Sequence, residues 1–133
     1  MSNAPTTPDA EPAKPERKPL VFVGSSLDDL SDFPQPVKRS MGHSLHVAQL
    51  GGKASNAKVL QGFGGAGVLE VVEDFDGSTF RGVYTTKLQG VVYVLAAFQK
   101  KSTKGISTPR HLIDLIKRRY ADAVEIHKTR ESE

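Results

Sequence analysis

At 133 residues, the chain has the length of one domain, and its 18 Lys+Arg against 15 Asp+Glu leave a formal charge of only +3. It has no cysteine, which excludes disulfide frameworks, thiolate zinc sites and cysteine nucleophiles. No apolar run approaches the roughly 20 residues of a membrane helix, and the N-terminus lacks the apolar core of a secretory signal, so a cytoplasmic protein is expected.

Residues 1–18, MSNAPTTPDAEPAKPERK, are rich in Pro, Ala and balanced charge. They offer almost nothing to bury and are expected to form a disordered tail. Order should begin at Pro19-Leu20-Val21-Phe22-Val23, a short strand ending at Gly24. Ser26 is placed to cap a first helix, with Asp28 and Asp29 in the first turn where the dipole favours negative charge. Pro34 and Pro36 interrupt it. A second helix from near Pro36 to Leu50 carries Val37, Met41, Leu45 and Ala48 on one stripe, and Gly51-Gly52 stops it. Together these predict an N-terminal helical hairpin.

The centre reads as sheet. Val68-Leu69-Glu70-Val71-Val72-Glu73 is rich in β-branched residues, and Asp76-Gly77 is a strong two-residue turn signal. Phe80 to Leu88 is the return strand, Gln89-Gly90 a second turn and Val91 to Phe98 a third strand. Thr108-Pro109 predicts a cap followed by proline at the first helical position. The helix after it turns Leu112, Ile113, Ile116, Tyr120 and Ala123 inward. The expected architecture is α+β, a helical hairpin packed on a small antiparallel sheet with a C-terminal helix. It forms one domain over residues 19–127, followed by a flexible end at 128–133.

Tight turns fix register, and register decides which side chains share a face. Asp74 should pair with Thr79, Val72 with Arg81 and Glu70 with Val83, with Arg81 opposite Phe98 and Lys100 two residues further along the same face. The ordinary role for a lone strand arginine is an ion pair, here with Glu70. Charge distribution adds a second role. Between Phe98 and Tyr120, Lys100, Lys101, Lys104, Arg110, Lys117, Arg118 and Arg119 face the single acid Asp114, a field suited to RNA or an acidic protein surface. Cations converging with Arg81 at one sheet edge can bind phosphate and stabilise charge developing on it. Phe98, Tyr84 or Tyr93 offers a ring for a base, although core packing is the commoner task of a tyrosine. His43 and His46 have chelating spacing but no third ligand, so no metal site is expected. Gly62-Phe63-Gly64-Gly65-Ala66-Gly67 lacks a following Lys-Ser/Thr and precedes a strand, which makes it a connector and not a phosphate loop.

The succession Lys58-Val59-Leu60-Gln61-Gly62, Gly67-Val68-Leu69-Glu70, Phe80-Arg81-Gly82-Val83-Tyr84, Ala97-Phe98-Gln99-Lys100-Lys101 and Thr108-Pro109 resembles the RelE/HigB toxins, nearest to their phage-derived HigB-like branch. The likeness runs from about Leu20 to Ala123. It implies a toxin of a type II toxin–antitoxin pair, a metal-independent and cofactor-free mRNA endonuclease acting on the ribosome. It also implies a cognate helix-turn-helix, HigA-like antitoxin. By position, Arg81 matches the strand arginine on the scissile phosphate, and Lys100 and Lys101 match the basic pair after the last strand. Lys58, Phe98, Lys104 and Arg110 are the expected RNA contacts. Many relatives carry His where this chain has Gln99, and a basic residue where it has Val72. The general base stays open among Glu70, Tyr84 and a lysine of lowered pKa. The alternatives are a ParE-like gyrase poison and a non-catalytic RNA- or protein-binding domain. The retained Phe98-Gln99-Lys100-Lys101 and Thr108-Pro109 favour the nuclease.

Overall fold

The computed structural model of the chain describes residues 16–65, 67–101 and 108–132, Lys101 by its backbone only. Within them lie β1 (Leu20–Phe22), α1 (Ser26–Ser31), α2 (Gln35–Gln49), β2 (Ala57–Val59), β3 (Val68–Phe75), β4 (Ser78–Thr85), β5 (Val92–Lys101) and α3 (Arg110–Glu131). The strands form one sheet in the order β1-β5-β4-β3-β2.

The α+β class is as expected, but the layout differs from the prediction in three ways. The N-terminal pair is unequal: α1 has 6 residues and α2 has 15. The sheet is larger, because β2 adds to one edge and β1 pairs parallel to β5 at the other. A three-residue strand such as β2 carries too little pattern to be seen in sequence. The third difference bears on the site. β5 runs through Lys101 rather than stopping at Phe98, so Lys100 lies inside a strand, opposite Thr79.

The tight turn is as read. Asp76 and Gly77 both adopt positive φ, 52° and 79°, the signature of a type I′ hairpin. The predicted pairs Asp74–Thr79, Val72–Arg81, Glu70–Val83 and Arg81–Phe98 all form. α2 also ends where its glycines indicate. Gly52 N–H bonds the Val47 carbonyl at 2.9 Å and Gly51 N–H bonds that of Ala48 at 3.0 Å, a Schellman closure with Gly51 at φ 92°.

Two apolar layers sandwich the sheet. On one face Val37, Met41, Leu45 and Ala48 of α2 pack on Leu69, Val71, Phe80, Tyr84 and Val94. Gly82 permits this approach, because a Cβ there would meet the Met41 sulfur at 2.8 Å. On the other face Ile113, Ile116, Tyr120 and Ala123 of α3 cover Val83, Tyr93, Leu95 and Phe98.

Polar clamps hold α3 down along its length. Thr108 Oγ1, just before the helix, donates to Glu70 Oε2 at 2.9 Å. Arg119 Nη1 donates to the Leu95 and Val23 carbonyls at 3.0 and 3.3 Å. Near the far end, Tyr93 Oη and His127 Nδ1 share a hydrogen bond of 2.8 Å. Two expected caps are therefore used otherwise. Thr108 bonds Glu70, and Pro109 is the N-cap residue. Ser26 donates from Oγ to the Val94 carbonyl, and Ser25 is the N-cap residue.

The boundaries also move. Lys18, assigned to the tail from sequence, exchanges bonds with Gln49: its N–H reaches the Gln49 carbonyl at 3.0 Å and its carbonyl accepts from Gln49 Nε2 at 2.7 Å. Residues 128–131, assigned to a flexible end, complete the last turn of α3. The rest of the expected tail, residues 1–15, lies outside the described residues.

Candidate active site

Alternation along the ladder brings the polar side chains of Glu70, Arg81 and Lys100 together on the α3 face of the sheet, and Thr108 joins them from the segment before α3. Glu70 projects from β3 and Arg81 from β4, on diagonal positions of the β3–β4 register. Arg81 Nη1 donates to Glu70 Oε1 at 2.9 Å, with Glu70 1% and Arg81 7% exposed. The second carboxylate oxygen accepts from Thr108. Lys100 enters from β5 on the same face as Phe98 and is itself buried. Burial lowers the Lys100 pKa, Arg81 lowers it further, and Glu70 opposes both.

The ordinary reading of Arg81 is thus present: it is an ion-paired core residue. A buried pair of this kind adds little net stability, yet losing one partner strands the other in the core. Among the described residues around the pair, Arg81 and Lys100 are two cations beside the one Glu70 carboxylate. Both Glu70 oxygens already accept hydrogen bonds, one from a cation.

The other expected residues fall in four different places. Lys58 joins the cluster's face, directly opposite Glu70 in the β2–β3 ladder and exposed. Phe98 is half-buried, opposite Arg81 in the β4–β5 ladder and packed on the α3 layer. Arg110 opens α3 in solvent, with a 3.9 Å contact to Asp114. Tyr84 is a correction. It belongs to the α2 layer, on the opposite face from Glu70 and Arg81, and is 1% exposed. Burial raises its pKa, and its hydroxyl has no partner among the described residues. The sheet itself separates it from Arg81. Lys101 pairs with Ser78 in the ladder, and its side chain, like the whole of Lys104, lies outside the described residues.

Gln99, which stands where many relatives have His, is exposed and donates from Nε2 to Ser78 Oγ at 2.9 Å. Strand alternation turns it away from Lys100. Thr108 is the residue that sequence reasoning missed as part of the cluster. The Thr-Pro signal marks a helix start, and nothing local ties it to a glutamate 38 residues earlier.

Comparison with known proteins adds an independent line. The sequence model of the family described as phage derived protein Gp49-like (DUF891) matches residues 28–121. No curated protein matches the chain. Among solved structures, the fold is similar to a chain in the crystal structure of the toxin–antitoxin complex RelBE2 from Mycobacterium tuberculosis. The match has 15% identity and a TM-score of 0.44, covering 68% of this chain and 98% of that one.

Proposed function

The chain belongs to the phage-derived Gp49-like family, a RelE/HigB-type toxin family, and from that premise we propose that it is an mRNA-cleaving toxin held in check by an antitoxin. The observation that carries the reading is the convergence of Glu70, Arg81, Lys100 and Thr108 on one face of the sheet's inner strands, with Lys58 and Phe98 on the same face.

The chemistry follows from those groups. The ribose 2′-hydroxyl attacks the adjacent phosphorus as its proton passes to a base. The P–O5′ bond breaks and the 5′-oxygen takes up a proton, leaving a 2′,3′-cyclic phosphate. The chain's part is to orient the strand, move the proton and oppose the growing negative charge. Lys100 is the proton acceptor of this reading, because it is buried on the Arg81 face of the sheet, where burial disfavours its ammonium form. Arg81 supplies the fixed positive charge. Glu70, held by Arg81 and Thr108, positions the guanidinium. Lys58 and Phe98 offer a phosphate and a base contact beside it.

The test is induction of the protein in cells with mapping of mRNA 5′ ends. New 5′ ends should appear with the parent and fall by about a hundred- to a thousand-fold with Lys100→Met, the loss typical of a transition-state contact. Growth arrest without new mRNA ends would overturn the nuclease reading. The antitoxin half is tested by co-expression with the product of the adjacent gene, which should co-purify. A helix-turn-helix protein is expected there.

A further inference from the structure

Further along the same sheet face, beside the middle of α3, lies a cavity of about 300 Å³, lined by Phe63, Val68, Lys87, Lys117 and Tyr120 with two glycines. Its volume is at the lower end of the range for small-ligand sites. The floor is apolar, since Val68 is buried. Phe63 and Tyr120 are half-buried, packed on the α3-side core while lining the cavity. Lys117 Nζ stands 6.0 Å from the centre of the Phe63 ring. Gly67 lets the stem of Lys87 lie against the backbone, because a Cβ there would meet Lys87 Cδ at 2.6 Å. Both lysines are exposed, and among the described residues neither is ion-paired to a carboxylate.

Two rings and two unneutralised ammoniums around one small cavity suit a ligand with a flat aromatic part and an anionic part. We infer that the cavity holds one nucleotide of a single-stranded RNA, its base against Phe63 and Tyr120 and its phosphate on Lys87 and Lys117. Base stacking on aromatic side chains and ammonium–phosphate contacts are the ordinary means of holding a single strand. The inference rests on the RNA reading above and extends it. Val68 lies two residues before Glu70 on β3, about 7 Å along the strand. A strand engaged at Arg81 therefore needs only a short run of nucleotides to reach the cavity.

The experiment uses a short single-stranded RNA, 2′-O-methylated throughout so that it cannot be cut, with one 2-aminopurine. Anisotropy reports binding and 2-aminopurine emission reports stacking. Lys87→Ala/Lys117→Ala should weaken binding by roughly tenfold and flatten its salt dependence by about one phosphate. Phe63→Leu should lose most of the emission quenching, and both variants should melt like the parent. Unchanged affinity in the double variant, or unchanged quenching in Phe63→Leu, would overturn the inference. So would cavity variants that release the antitoxin while binding the RNA normally. The two proposals fail separately: RNA held in the cavity without mRNA cutting in cells removes the nuclease and keeps the cavity. Cutting with normal RNA binding by the cavity variants does the reverse.

Discussion

The α3 face of the sheet carries charge in two places, and the two are built on opposite principles. At the Glu70–Arg81 end the charges are buried and hold one another, and Thr108 ties them to the start of α3. At the Phe63–Lys117 end the charges stand in solvent beside half-buried rings, unpaired among the described residues. Charge at the first end is part of the fold, so removing it tests stability and activity together. Charge at the second can be removed with the fold intact, and only binding should notice. A variant that kills activity means different things at the two ends.

The largest effect is expected at the buried end. Arg81→Ala leaves the Glu70 carboxylate without its cation in the core and should cost about 3–5 kcal/mol of unfolding free energy by denaturant titration. Replacing both partners, Glu70→Leu with Arg81→Met, should restore most of that stability while leaving mRNA uncut. An Arg81→Ala protein that melts normally and cuts at the parent rate would erase the distinction between the two ends.

Thr108→Val comes next. It removes a hydrogen bond to a buried carboxylate and should cost about 1.5–3 kcal/mol. If the cost falls near zero, Thr108 is merely adjacent, and Glu70 owes its position to Arg81 alone.

Lys100 sharpens the comparison through pH. Its folded pKa lies below the ordinary 10.5, so between those values the unfolded chain binds more protons. Stability must then rise with pH across that window, as the cost of burying the ammonium is relieved. Parent minus Lys100→Met, measured by thermal melts, should grow more favourable to the parent as pH climbs toward 10.5. Tyr84 and Tyr93, with raised pKa values, act in the opposite direction above 10.0, but both proteins contain them and the difference cancels. A difference independent of pH would show that Lys100 is solvated after all.

The smallest effect belongs to the open end. Lys87→Ala and Lys117→Ala should each change stability by less than about 0.5 kcal/mol, as is usual for surface sites. A larger loss for Lys117→Ala would make its contact with Phe63 a structural brace.

Much of this was decided by sequence, and by a local mechanism. Asp76-Gly77 supplies the positive φ angles a type I′ turn demands, and that turn fixes the β3–β4 register residue by residue. Once that register is set, the meeting of Glu70 and Arg81 on one face is a matter of counting, whereas the placing of Phe98 and Lys100 beside them also depends on the register shift at Val83/Tyr84 between β4 and β5. The α2 stripe and its glycine stop were legible for the same reason, since helix period and chain reversal are encoded within a few residues. What stayed hidden was settled between distant parts of the chain. The parallel pairing of β1 with β5 joins residues 20 and 92, and Thr108 finds Glu70 across 38 positions. The burial of Lys100 depends on β5 continuing beside β4 past the end of its apolar run. The cavity assembles from the connector, the turn after β4 and the middle of α3. Short-range signals choose the elements and their register, whereas burial and long-range partners follow from how the packed layers enclose them, and only the tertiary structure supplies that.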